Sequence, residues 1–122
     1  MILVDTSIWI DHLRDGDDDL ASLLEALQVL VHPFVVGEMA CGNLGNRAEV
    51  LELLGDLPTA NAASDPEVLY FIDRHRLMGK GIGYVDAHLL AAVLLNPPAR
   101  LWTRDKRLGT IAEELGLAYP VP

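Results

Sequence analysis

Cysteine is nearly missing: the single Cys41 among 122 residues excludes an internal disulfide and a zinc cage built on thiolates. Long apolar runs are missing too. The longest lies between Asp86 and Leu95 and falls short of the roughly 20 residues that a bilayer-spanning helix needs. Met1-Ile2-Leu3-Val4 carries no basic segment and meets Asp5 at once, which is not the pattern of a secretory leader. Together these absences lead us to expect a cytoplasmic chain with no membrane partner. Positive charge is scarce as well, with 9 Lys and Arg against 18 Asp and Glu and a net charge of −9. At face value that argues against a nucleic-acid partner. The imbalance is local, however. Asp15, Asp17, Asp18 and Asp19 share one loop, whereas Arg74, Arg76 and Lys80 form one basic group and Arg100, Arg104, Lys106 and Arg107 another. Either basic group could hold a phosphate backbone beside a metal.

What is present is enough apolar material, 51% of the chain, for one core and one domain over residues 1–122. Folding at this size buries roughly two-thirds of the unfolded surface without a staple. Short apolar runs predict strands at 2–5, 29–32 and 101–103, with an edge strand at 117–119. Helices are expected over 8–14 behind a Ser7 cap, 20–27, 33–41 with Pro33 in the first turn, and 47–54. Ser64-Asp65-Pro66-Glu67 is a capping box that starts a helix running to about 78. Gly79, Gly81 and Gly83 form a loop before a helix at 84–95, and the last helix spans 106–115. Strands alternating with helices give an α/β fold, an α/β/α sandwich on a short parallel sheet.

Four acids stand where acids are costly. Asp5 ends the run Ile2-Leu3-Val4, Glu38 follows Phe34-Val35-Val36, Asp86 opens the apolar stretch to Leu95, and Asp105 follows Leu101-Trp102-Thr103. Asp5 and Asp105 can each be read as a helix cap. Glu38 and Asp86 have mainly apolar residues three and four positions away, which places them on inward stripes. A buried carboxylate must be paired or bind a cation. Sites on open parallel sheets form beyond the carboxyl ends of the strands, where all four acids can meet. Oxygen-only ligands favour a hard ion, Mg2+ or Mn2+. Other patterns fail. A calcium loop from Asp15 has Leu20 where glycine is needed, the glycines before Tyr84 do not make a dinucleotide fingerprint, and no G-x-S-x-G occurs. His12, His32, His75 and His88 lack ligand spacing, and Trp9, Trp102 and Tyr84 read as core or site wall.

The segments Leu3-Val4-Asp5-Thr6-Ser7, Val36-Gly37-Glu38, Gly81-Ile82-Gly83-Tyr84-Val85-Asp86-Ala87-His88-Leu89-Leu90 and Trp102-Thr103-Arg104-Asp105 resemble, in order and spacing, the motifs of PIN-domain ribonucleases. Among these the likeness is to VapC-type toxins of toxin–antitoxin pairs. The resemblance implies a PIN-like fold and a metal-dependent endoribonuclease that uses Mg2+ or Mn2+. Its catalytic and metal-binding residues would be Asp5, Glu38, Asp86 and Asp105, supported through hydrogen bonds by Thr6 or Ser7 and by Thr103. It also implies an RNA substrate and a cognate antitoxin, with a homodimer as the default assembly. The leucine-rich segments 20–30 and 50–57 are candidates either for the antitoxin surface or for the core. The competing reading is a non-enzymatic acidic module that binds cations or a partner.

Overall fold

The computed structural model describes residues 1–121. Strand β1 (Ile2–Val4) lies between β2 (Val29–Leu30) and β3 (Arg100–Trp102), all parallel, in the order β2-β1-β3. Ile2 and Leu3 face Val29 and Leu30 on one side, and Ile2, Leu3 and Val4 face Arg100, Leu101 and Trp102 on the other. Single bridges extend the sheet outward, Val31 to Thr59 beyond β2 and Leu101 to Ala118 beyond β3. The expected edge strand at 117–119 is therefore one bridge.

Among the described residues seven helices flank this sheet, which gives the α/β/α arrangement expected: α1 (Thr6–Asp15), α2 (Asp18–Glu25), α3 (Pro33–Cys41), α4 (Arg47–Asp56), α5 (Asp65–His75), α6 (Tyr84–Leu95) and α7 (Lys106–Glu114). Their boundaries follow local chemistry. The Ser64 hydroxyl accepts from the Glu67 N–H at 3.3 Å while Glu67 accepts from the Ser64 N–H at 2.9 Å, so α5 starts at the capping box. It stops at His75 rather than near 78, because Arg76 takes left-handed backbone angles. Helix α1 begins earlier than expected, capped by Asp5 and not by Ser7.

Leu3, Val4, Ile8, Trp9, Leu89, Leu90, Leu101 and Leu108 form the centre of the core, all fully or almost fully buried. Removing one such leucine down to alanine would cost about 2–5 kcal/mol. Residues Ala87 to Val93 of α6 are buried all round, which makes α6 the central helix and fixes where its first turn points. Most apolar side chains of the segments 20–30 and 50–57 enter or pack on the core: Leu20, Val29, Leu30, Val50 and Leu54 are buried, Leu23, Leu24, Leu51 and Leu57 are partly buried against them, and Leu27 and Leu53 remain outside. An apolar groove of about 410 Å³ lies between α5 and α6, where Tyr70, Leu94 and Leu95 are exposed.

Candidate active site

From β1 the chain turns toward β2, whereas from β3 it continues outward to Ala118. The two neighbouring strands thus send their connections in opposite directions. A crevice opens at such a reversal beyond the carboxyl ends of the strands. Asp5 leaves β1 there, and Thr103-Arg104-Asp105 leaves β3 there. The Asp5 N–H still donates to the Trp102 carbonyl at 3.0 Å, so the ladder holds the two strand ends together.

Both carboxylate oxygens of Asp5 are fixed. Oδ1 accepts from the Thr6 N–H at 2.7 Å and Oδ2 from the Thr103 hydroxyl at 2.8 Å. The Thr6 hydroxyl donates to Glu38 Oε1 at 2.8 Å, tying α1 to α3. Thr103 Oγ1 accepts from the Asp105 N–H at 3.1 Å, and Asp105 Oδ1 caps α7 through the Leu108 N–H at 2.9 Å. A hydrogen-bonded path therefore runs from Glu38 through Thr6, Asp5 and Thr103 to Asp105. Ser7 is outside it: its hydroxyl is buried with no partner among the described residues.

Asp86 joins this group through its field. It sits in the first turn of α6, where Oδ2 accepts from the Gly83 N–H at 3.2 Å. This is one half of a capping box, since Gly83 has no side chain to complete it. Burial pushes the Asp86 carboxyl above its ordinary value. The Gly83 N–H opposes that shift, and the charges of Asp5, Asp105 and Glu38 add to it.

The expected burial of the four acids needs correction. Asp5 and Asp86 are half-buried, but Glu38 and Asp105 are exposed. Helix α3 buries Val35 and Met39, and Phe34, Gly37, Glu38 and Cys41 lie toward solvent. The apolar neighbours of Glu38 in sequence do not make an inward stripe. Nor do the acids converge tightly: among the described residues no three His, Cys, Asp or Glu side chains are gathered so that they could hold an ion. The two observations agree physically. Carboxylates without a cation repel, and each of these four is held by its own hydrogen-bond donor.

A second polar group, not legible in the sequence, flanks α6. His88 is buried, with Nε2 3.1 Å from Asp65 Oδ1, and the Tyr84 hydroxyl donates to the same oxygen at 2.6 Å. These bonds, Tyr84 first, hold the Asp65 carboxyl below its usual range. His32 caps α3 by accepting from the Phe34 N–H at Nδ1, 2.9 Å, and is also buried. Burial, followed by the nearby His88, lowers its pKa to about 4, so the ring is neutral. Asp65 and Tyr84 lie nineteen positions apart, and no periodicity pairs them.

The basic residues regroup in space. Arg104 pairs with Asp11 and with Asp17, the latter at 2.6 Å, while Arg14 pairs with Asp11 and Asp15. Arg100 donates to the Pro98 and Ala99 carbonyls, and Arg47 to that of Ala40. Lys80 instead joins Lys106 and Arg107 around one groove.

Comparison with known proteins agrees with this architecture. The family model described as PIN domain matches residues 2–114. Two relatives, both named Ribonuclease VapC32 and coming from the CDC 1551 / Oshkosh and ATCC 25618 / H37Rv strains of Mycobacterium tuberculosis, are 48% identical over 118 residues. The match spans 97% of this chain and 95% of each relative. A parallel sheet with acids at its carboxyl edge, matched by a family model over nearly its whole length, shows that the chain belongs to the PIN-domain family, among its VapC-type members.

Proposed function

We propose that this chain is the toxin of a toxin–antitoxin pair, a divalent-metal-dependent endoribonuclease that hydrolyses phosphodiester bonds in RNA, with Mg2+ or Mn2+ as the ion. The observation that carries the reading is the set of four acids held at the carboxyl edge of the sheet, Asp5 by Thr6 and Thr103, Glu38 by Thr6, Asp86 by the Gly83 N–H and Asp105 by the Leu108 N–H; burial, against the Gly83 N–H, and the charges of the other three push the Asp86 carboxyl up. A group of like charges around a crevice is relieved by a cation. The donor set is oxygen only, which suits a hard ion. Mg2+ keeps several of its waters and needs only one or two direct carboxylates, so acids spread around a gap fit it better than a closed cage would.

Asp5 and Asp86 are the direct ligands in this reading, and Glu38 and Asp105 reach the ion or its waters. When bound, the ion supplies an activated water and offsets charge on the scissile phosphate. The chain's own residues set the geometry. Thr103 and the Thr6 N–H keep both Asp5 oxygens oriented, the Thr6 hydroxyl holds Glu38, and the Gly83 N–H holds Asp86. Exposed Glu38 and Asp105 are the groups able to orient the attacking water and take its proton.

The relatives named as VapC ribonucleases support an RNA substrate and a cognate antitoxin. An arginine or lysine from that antitoxin would pair with the acids and displace the ion, while an amphipathic helix on exposed apolar surface adds affinity. A two-fold homodimer through a helix face and a cytoplasmic location complete the reading.

The test uses purified, partner-free protein on single-stranded RNA. Cleavage should require Mg2+ or Mn2+, stop with a chelator, and be lost in Asp5→Asn and Asp86→Asn while the fold persists. Full activity in either variant, or in chelator, would overturn the assignment. Metal binding with intact RNA would favour the non-enzymatic acidic module.

A further inference from the structure

An acidic chain that works on RNA must concentrate its few cations where the strand lies. Of the 9 Lys and Arg, Arg14 and Arg104 are neutralised by aspartates, and Arg47 and Arg100 are turned onto backbone carbonyls. Arg74 and Arg76 are exposed with no carboxylate within ion-pair distance among the described residues, and so are Lys106 and Arg107, which in addition stand next to a site acid. The latter two are the first two residues of α7, directly after Asp105. Lys80 reaches toward them from the glycine loop, held only by Glu114 at 3.8 Å with both side chains largely in solvent. Such a pair is worth little.

Arg107 is seated against that loop. A Cβ built on Gly81 would lie 2.5 Å from Arg107 Nη1 and 2.7 Å from Cδ, and Gly81 itself has φ +82°. The backbone angle favours glycine there, and the Arg107 side chain packs into the space that a Cβ would take. The side chain of Arg107 therefore bridges from α7, which Asp105 caps, to the loop that leads into Asp86. Lys80, Lys106 and Arg107 line a groove of about 390 Å³, with Thr110 and Ile111 along it and Glu114 also in its wall. Glu114 offsets one of these three cations, so the groove keeps a net positive charge. The groove adjoins Asp105, which directly precedes Lys106, and the glycine loop that leads into Asp86, so the two signs of charge stand side by side.

We propose that this groove binds the phosphate backbone of single-stranded RNA on one side of the scissile bond, with Arg107 and Lys106 as the main phosphate contacts and Lys80 at the rim. The inference rests on the nuclease reading above and adds where the strand runs. Arginine offers a planar fork to phosphate oxygens, and lysine a point charge. Such contacts position the strand without reading its sequence. They act through counterion release, and each lost contact lowers the slope of log Kd against log salt by about 0.7 for a single strand.

The experiment measures binding of a short fluorescein-labelled oligouridylate across a salt series. It uses the Asp86→Asn background so that the RNA stays uncut, and runs beside cleavage by the wild-type chain. Arg107→Ala should weaken binding and lower the slope by about 0.7, and Lys106→Ala/Arg107→Ala by about 1.4. Arg107→Lys should keep the slope while losing part of the affinity. Arg74→Ala removes one positive charge beside Leu94 and Leu95, at the other end of α6 from Asp86, and should leave both unchanged. In the catalytically intact chain, Arg107→Ala should raise KM with kcat unchanged and leave the thermal stabilisation by Mg2+ intact. If wild-type protein cleaves RNA while Arg107→Ala and Arg74→Ala behave alike, the groove is wrong and the nuclease reading stands. If the wild-type chain neither binds nor cleaves RNA, both fall together.

Discussion

Replacing Asp86 by asparagine should make the metal-free protein more stable, although it removes a side chain at the centre of the site. The Asp86 carboxyl is raised from its ordinary value of 3.8, by burial first and then by Asp5, Asp105 and Glu38. A raised acid holds a proton in the folded state that the unfolded chain has already released. Stability therefore falls as pH rises past 3.8, and the penalty is complete above the folded pKa. Two unit charges about 7 Å apart repel by roughly 0.6 kcal/mol in water and roughly 2.4 at an effective dielectric of 20. A half-buried acid facing partly exposed neighbours lies toward the lower figure. Three such neighbours, discounted for solvent and salt, leave about 1 kcal/mol to recover. Asparagine keeps an oxygen for the Gly83 N–H, so little is lost in exchange. For a chain of this size the gain is about 3–5 °C in Tm. Thermal unfolding in chelator at pH 7 reads it directly, and the gain should vanish below pH 3.8, where both states carry the proton. Added Mg2+ should raise Tm for the wild type and not for Asp86→Asn. A lower Tm in chelator with the Mg2+ effect retained would refute the reasoning, because a satisfied structural acid behaves that way.

Thr103→Val removes the hydroxyl that holds Asp5 Oδ2, so kcat should fall severalfold with a stability loss of about 1 kcal/mol, and Thr103→Ser should restore both. Ser64→Ala breaks the α5 capping box and should lower Tm by about 3–5 °C while the Mg2+ stabilisation survives, which makes it a purely structural control. His32, lowered from 6.5 to about 4, resists protonation in the folded state, so stability should drop as pH falls from 6.5 toward 4, by at most about 3 kcal/mol. Urea unfolding at pH 7.5 and 5 checks this, and His32→Asn, which can still cap α3, should flatten that part of the profile.

Local signals were readable from the sequence to the extent that they were local. The capping box at Ser64 and Glu67 acts as written, β1 and β2 lie within their apolar runs, and β3 is shifted one residue earlier, to Arg100–Trp102. Asp5 was read both as the end of a strand and as a cap, and the backbone makes it the cap that starts α1. The buried face of α3 was misread because both of its stripes are apolar on paper. Only packing decides that Val35 and Met39 go in while Phe34 and Glu38 stay out. The early end of α5 depends on Arg76 adopting left-handed angles, for which Arg carries no signal. Pairings across the chain were beyond local reading: Tyr84 and His88 with Asp65, Arg104 with Asp11 and Asp17, and Arg107 over Gly81 meet only once the sheet is assembled.

The claim on which the account turns is that Asp5 and Asp86 face one bound ion at the carboxyl edge of the sheet. Anomalous diffraction from crystals soaked in Mn2+ tests it most directly. The account predicts a peak between the carboxylates of Asp5 and Asp86, within reach of Glu38 or Asp105 through water, and no peak in Asp86→Asn crystals. Mn2+ held instead at the aspartate loop 15–19, or a peak that persists without the Asp86 carboxylate, would contradict it.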